Sequence, residues 1–381
     1  MGIFDLLIAL LISRTLAFLA EGLGIASLTI YVLSGYVLSH PSLSLVSDYD
    51  QLLLDLSLIT LFFYVGLNVD LRVGKHVVKE SLIISSSGVI TTIVLVMLTS
   101  TLVGIDLTTS LIVGLALSNT ATEVVFLTIK PSELVGEAVR KVLITSSFFD
   151  DLLMICFISL LDVAGLGGFE LTSHAFKQAL FALAVFTLGL ILTKVLSRRL
   201  ITHRIMVNVA VITLLTATLT GYLLGIDLAF SAYFAGVALG MLRFIRDPML
   251  VNIVRLNDLI QYFSEALDIF LIPIFFLYVG ANLNLTHILT PEFMAIFTSA
   301  WVGKFLGCSL PRIIRGDLTT GITYGVVMNA RGGLESVAAM VALRYGLLSP
   351  TLYSVVVVTA ITSSITTPLL ITTLRRYLRT Y

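Results

Sequence analysis

The chain has 381 residues, 57% hydrophobic and 12% charged, with a mean hydropathy of +1.05 and no formal net charge. A soluble domain carries about twice that charged fraction, so a soluble globular fold is excluded. Apolar runs of helical length recur from end to end, and the ~10-residue alternating segments of a membrane β-barrel do not occur. The expected class is an all-α polytopic membrane protein.

Met1-Gly2-Ile3-Phe4-Asp5 carries no basic residue, so a cleaved signal peptide is not expected, and Leu6 stands where a myristoylation site needs Ser or Thr. Thirteen apolar spans are expected at 3–20, 25–38, 52–68, 82–102, 110–128, 142–164, 175–196, 205–224, 229–244, 266–282, 293–310, 318–343 and 351–374. No soluble regulatory domain is expected beside them. Basic residues gather in the odd-numbered connections: Arg72, Lys75 and Lys79 after span three, Lys130, Arg140 and Lys141 after span five, Arg243, Arg246 and Arg255 after span nine. The even-numbered connections hold only Lys177 and Arg344. Because Lys and Arg crowd cytoplasmic loops, the N-terminus is expected outside and the C-terminus in the cytoplasm. Cys156 and Cys308 fall inside apolar spans, so no disulfide is expected, and the five histidines show no metal-ligand spacing.

An internal repeat crosses this pattern. Phe62-Phe63-Tyr64-Val65-Gly66-Leu67-Asn68-Val69-Asp70-Leu71 shares six of ten residues with Phe276-Leu277-Tyr278-Val279-Gly280-Ala281-Asn282-Leu283-Asn284-Leu285, at an offset of 214. The two copies end spans three and ten. Seven spans apart, they enter the membrane in opposite senses, the mark of an inverted-topology repeat. Residues 1–164 then form the first repeat, 165–200 a linker helix and 201–381 the second, all within a single transmembrane unit.

Span six holds the costliest residues, Asp150 and Asp151, in Thr145-Ser146-Ser147-Phe148-Phe149-Asp150-Asp151-Leu152. A carboxylate at mid-bilayer costs about 2.5–3.5 kcal/mol, and the two repel each other. A leucine would pack better, so these acids point to function. Span five is broken by Ser118-Asn119-Thr120-Ala121-Thr122-Glu123, and span twelve by Met328-Asn329-Ala330-Arg331-Gly332-Gly333-Leu334-Glu335. The repeat offset carries Thr120 onto Leu334, so the breaks fall at corresponding places. Unwound backbone exposes carbonyls and half-helix ends that can hold a cation, although two ordinary kinks would give the same pattern.

Lys304, deep in span eleven, needs a carboxylate partner, and the span-six acids are the candidates. Adjacent helical residues point about 100° apart, so one aspartate can face Lys304 and the other the cavity. Geometry leaves open which does which. Ser147, one turn before Asp151, is a candidate hydroxyl ligand or a hydroxyl bonded to its own helix. Arg331 and Glu335, four apart, are expected to neutralise each other, with Glu123 a structural charge beside them. Asn119, Thr120 and Asn329 are candidate ligands at the breaks. No nucleophile elbow, P-loop or dinucleotide fingerprint appears, so neither an enzyme nor a cofactor is expected, and nothing suggests nucleic acid.

Phe149-Asp150-Asp151, Ile272-Pro273-Ile274-Phe275-Phe276, Gly303-Lys304-Phe305-Leu306-Gly307 and Asn329-Ala330-Arg331-Gly332-Gly333-Leu334-Glu335 together resemble the cation:proton antiporter superfamily, in particular NapA-like and KefC-like sodium or potassium/proton antiporters. The resemblance implies the antiporter fold of two six-helix inverted repeats with two discontinuous crossing helices. It implies a homodimer, with a core from 52–164 and 262–381 that moves against a dimerisation domain from 1–51 and 165–261. It implies that Asp151 binds the cation (Na⁺, or K⁺ or Li⁺) and protons in turn, while Asp150 pairs with Lys304. A prokaryotic plasma membrane is the expected location. Glu123, and Glu335 four residues after Arg331, depart from the NapA-like pattern and leave the choice of ion open. A sodium-coupled organic solute symporter of related build and a gated cation channel are the alternatives.

Overall fold

The computed structural model describes residues 3–22, 26–41, 43, 45–46, 51–69, 73–129, 136–161, 168–196, 202–244, 251–287 and 290–378. Among them the regular structure is helical throughout. The helices are α1 (Ile3–Glu21), α2 (Ser27–Leu38), α3 (Gln51–Asn68), α4 (Lys75–Leu102), α5 (Leu107–Ala116), α6 (Thr122–Ile129), α7 (Glu137–Ile158) and α8 (Gly168–Leu196). They continue with α9 (His203–Leu223), α10 (Leu228–Gly240), α11 (Val251–Ile269), α12 (Leu271–Ala281), α13 (Pro291–Ile313), α14 (Leu318–Val327), α15 (Gly333–Arg344) and α16 (Pro350–Leu378). Six helices are long and apolar enough to cross a membrane among the described residues, or seven if the bent pair α11–α12 counts as one. The other expected spans fall on helices that are short, interrupted or charged. Spans five and twelve are each split in two (α5–α6 and α14–α15), and α7 carries Lys141, Asp150 and Asp151.

Helix starts follow local chemistry. Asp106, Asp227 and Asp317 each accept hydrogen bonds from backbone N–H groups in the first turns of α5, α10 and α14, relieving donors that have no partner inside the helix. Within the spans, hydroxyls bond back to the carbonyl one turn earlier, as Thr92 does to Gly88 and Thr128 to Val124, which lets threonine sit in an apolar helix.

The chain packs as two compact units, one of Met1–Ser47, Val73–Phe157 and Phe276–Tyr381, the other of Asp48–Arg72 and Ile158–Phe275. In the first, α4 lies along α13 through glycines: a Cβ on Gly303 would meet Thr92 Cα at 2.9 Å, and one on Gly307 would meet Gly88 Cα at 2.7 Å. In the same unit α2 and α12 cross backbone to backbone. A Cβ on Gly35 would strike the Leu277 carbonyl, and one on Gly280 that of Val32. In the second unit α3 and α10 cross in the same manner, Gly66 against the Tyr233 carbonyl and Gly236 against that of Phe63. Residues 63 and 66 are the counterparts of 277 and 280 in the sequence repeat, so the same crossing is built twice.

Two expectations need correction. The segment before span ten is not a polar connection but the helix α11, whose apolar and polar residues alternate at helical spacing and whose Phe263 packs edge-on to Phe63 at 5.5 Å. Arg243, counted with the basic residues of the connection after span nine, belongs to the packed interior instead. It is buried and donates to the carbonyls of Leu67 at 2.9 Å and Val69 at 3.2 Å, closing the end of α3. Within these units α1 and α2 group with the part that holds Asp150, while α3 groups with α10 and α11.

Candidate ion-binding site

The site lies within the first unit, where the breaks of two interrupted helices meet. The chain leaves helical geometry at 117–121 between α5 and α6, and at 328–332 between α14 and α15. The breaks are joined directly: Ala121 N–H donates to the Ala330 carbonyl at 2.8 Å, and the Thr120 hydroxyl to the Met328 carbonyl at 2.8 Å. Backbone groups that each helix gives up are thus satisfied by the other, which lets irregular backbone persist in an apolar setting.

The two frames share a signature. Asp106-Leu107-Thr108-Thr109 opens α5, Asp317-Leu318-Thr319-Thr320 opens α14, and the offset is 211. The Thr109 and Thr320 N–H groups donate to these aspartates at 2.8 and 3.1 Å. Both acids lie outside the spans, and these N–H bonds hold each carboxyl below its ordinary value. At this offset Gly114 answers Gly325, and Thr120 answers Arg331 rather than Leu334.

α7 carries Asp150 and Asp151 to this crossing, both buried. Lys304 Nζ lies 2.6 Å from Asp150 Oδ2, and neither side chain is exposed at all. Ser85 of α4 donates to Asp150 Oδ1 at 2.5 Å, and Lys304 also donates to the Ser118 carbonyl at 2.5 Å. A buried ion pair is tolerable only when further hydrogen bonds satisfy both partners, and here they do. Asp151 is set differently. Its Oδ2 accepts from the Thr122 hydroxyl at 2.6 Å and its Oδ1 from the Asn119 amide at 3.4 Å, and no described cation pairs with it. The Asn119 Oδ1 is buried without a partner. Carboxylate, hydroxyl and amide oxygens gathered in a dry place are the hard donors that suit an alkali cation.

The remaining sequence candidates are dispersed around this centre. Ser147 donates to its own helix at Ile144 O, 2.9 Å away. Asn329 donates to the Trp301 and Gly325 carbonyls at 3.1 and 3.2 Å, leaving its Oδ1 buried and unpartnered. Arg331 is fully buried and bonds the Ala300 carbonyl at 2.9 Å, with Nε and Nη1 unpartnered. Glu335 does not form an ion pair with it within 4.0 Å. Its Oε2 accepts from the Gly332 N–H at 3.0 Å at the start of α15. An i,i+4 pair requires both residues on one helix, and Arg331 stands in the break before α15. Glu123 belongs to α6, and its side chain lies outside the described residues.

Two contacts to the aspartates were not anticipated. Thr122 begins α6, and the first turn of a half-helix is where a side chain can reach a neighbour's acid, so its place in the polar break was the available signal. Ser85 lies in Ser85-Ser86-Ser87-Gly88, a polar run inside an apolar helix.

Crossed interrupted helices with a buried, uncompensated acid at their meeting point define a helical membrane transporter that handles small cations. The chain belongs to the sodium/hydrogen exchanger family, whose transmembrane profile matches residues 6–374, and it is therefore a multi-pass membrane antiporter and not an enzyme. It is 23% identical over 374 residues to the Na(+)/H(+)-K(+) antiporter GerN of Bacillus cereus, covering 96% of this chain and 94% of that one. It is 29% identical over 167 residues to the Na(+)/H(+) antiporter NhaS4 of Synechocystis, covering 42% of this chain and 38% of that one. A solved structure of the sodium proton antiporter MjNhaP1 from Methanocaldococcus jannaschii superposes with a TM-score of 0.72 at 16% identity, covering 97% of this chain and 96% of that one. That likeness shows the fold.

Proposed function

We propose that Asp151 is the carrier carboxylate, occupied in turn by a proton and by a monovalent cation, with Na⁺ the principal cargo and K⁺ or Li⁺ competing for the same oxygens. The observation that carries this reading is the asymmetry of the acid pair: Lys304 neutralises Asp150, whereas among the described residues Asp151 has only the neutral donors Thr122 and Asn119. A buried carboxylate without a countercharge is costly in a low-dielectric medium, and either a proton or a cation removes that cost. Binding of one therefore excludes the other. Only the compensated site crosses between the two faces, which couples the cation gradient to the proton gradient.

We further read the chain as thirteen spans in two inverted repeats, since the sequence repeat, the twin α2–α12 and α3–α10 crossings and the two capped, interrupted helices each support it. The reading includes a homodimer in a prokaryotic plasma membrane, N-terminus outside and C-terminus cytoplasmic, with a core body that carries Asp151 moving against a dimerisation body. The basic odd-numbered connections support the orientation.

The test is reconstitution into liposomes holding a pH-sensitive dye, challenged in turn with Na⁺, K⁺ and Li⁺. Cation-driven proton efflux identifies the cargo, and Asp151→Asn should abolish it while leaving the fold intact. Exchange at the wild-type rate in that variant would overturn the assignment.

A further inference from the structure

In the second unit, α8 and α9 are both seated on α10 by glycines. A Cβ on Gly189 of α8 would meet Ala238 Cα at 2.8 Å, and one on Gly221 of α9 would meet Ser231 Cβ at 2.8 Å. The seating leaves a groove of about 610 Å³ between α8 and α9. On α8 it is lined by Leu180, Phe181, Ala184, Val185 and Leu188, following Lys177 at helical spacing. On α9 it is lined by Thr216, Ala217, Thr220 and the leucines at the helix end. The threonines make no polar demand on an occupant, because Thr216 donates to the Ile212 carbonyl and Thr220 to that of Thr216. Among the described residues Lys177 is the only charged one that lines the groove, and it stands at one end.

The length is informative. From Lys177 to Leu188 a helix rises roughly 16 Å, which is about one leaflet of a ~30 Å hydrocarbon core. A leaflet-deep apolar channel with an ammonium at one end matches one ligand chemistry: an acyl chain under an anionic headgroup.

We propose that the α8–α9 groove holds one anionic phospholipid, its phosphate at Lys177 and an acyl chain along Ala184 and Ala217. The chain gains little hydrophobic energy on leaving surrounding lipid, so selectivity rests on charge and on the fit of the channel. One lysine near a membrane surface confers about a fivefold preference for an anionic over a zwitterionic lipid.

Native mass spectrometry of the full-length protein, delipidated and titrated with phosphatidylglycerol or phosphatidylcholine of equal chain length, tests this. The expected result is one retained phosphatidylglycerol per chain, held about fivefold more tightly than phosphatidylcholine. Lys177→Gln should erase the preference and keep one lipid, Lys177→Arg should restore it, and Ala184→Trp should expel either lipid. Equal retention of both lipids by the wild type, or unchanged retention in Ala184→Trp, would overturn the proposal. So would efficient cross-linking between two copies through Leu180→Cys, since a second copy would then cover the groove.

Discussion

The two interrupted helices are built alike and equipped differently. Both open on Asp-Leu-Thr-Thr, with the aspartate bonded to the N–H three residues on, and both break ten or eleven residues later. Past that point they diverge. The α5–α6 break presents Asn119, Thr120 and Thr122, all neutral, and two of these reach Asp151. The α14–α15 break presents Asn329, Arg331 and Glu335, and none of the three bonds to either aspartate. The two alike frames thus differ: one touches Asp151, and the other buries the ionisable side chains of Arg331 and Glu335 beside it.

Several substitutions break or sharpen this contrast. The largest effect on stability belongs to Lys304, which ties Asp150 of α7 to the Ser118 carbonyl of the first break. Lys304→Ala leaves a buried carboxylate without its partner and should cost roughly 3–5 kcal/mol. A melting curve in detergent that matches the wild type would remove the ion pair from the architecture. Next come the paired glycines. A methyl on Gly325 would sit 2.7 Å from the Phe305 carbonyl and strike Ser309, whereas one on Gly114 would meet Ile93 Cα at 3.2 Å. Gly325→Ala should therefore lose about 1–3 kcal/mol and Gly114→Ala clearly less. Equal losses would show that the two halves are packed alike after all.

The functional contrast is read at the threonines of the first break. Thr122→Val removes the hydroxyl on Asp151 and should raise the cation concentration for half-maximal exchange about tenfold, a loss of ~1.4 kcal/mol, with little change in melting. Thr122→Ser should restore it. Thr120→Val, which loses only the bond to the Met328 carbonyl, should do the reverse and lower the melting midpoint more than the apparent affinity. The smallest effects lie at the caps. Both aspartates titrate below their ordinary value in the folded protein, so their contribution is complete above the unfolded carboxylate range, near about 4, and fades as pH falls through the lower folded value. Asp106→Ala and Asp317→Ala should each lower the melting midpoint slightly at pH 7, and the gap to wild type should close toward pH 3. A gap that widens on acidification would contradict the capping role.

Much of this was legible in the sequence because charge in an apolar span is so costly that each instance stands out. Asp150, Asp151 and Lys304 stand out on that ground alone, and the two breaks by their polar runs and, in the second, by Gly332-Gly333. Neutral residues announce themselves less. Thr122 and Ser85 bond the two acids, yet serine and threonine are common in these helices and most satisfy their own backbone, so composition cannot single them out. Spacing misled in two places. Arg331 and Glu335 fit an ion pair only if the helix runs through both, and it does not. The repeat offset of 214, sound for α3 and α12, shifts to 211 at α5 and α14, since connecting segments differ in length between the copies. Helix α11 escaped notice because its apolar residues occupy one face rather than a continuous run.

The four glycines at the α2–α12 and α3–α10 crossings carry one mechanical consequence. Where carbonyls lie directly on Cα atoms, no side-chain layer remains to deform, and such a seam is as stiff as the helices themselves. Any working stroke must then be absorbed at seams lined by rotatable side chains, with each glycine crossing carried along as one solid piece.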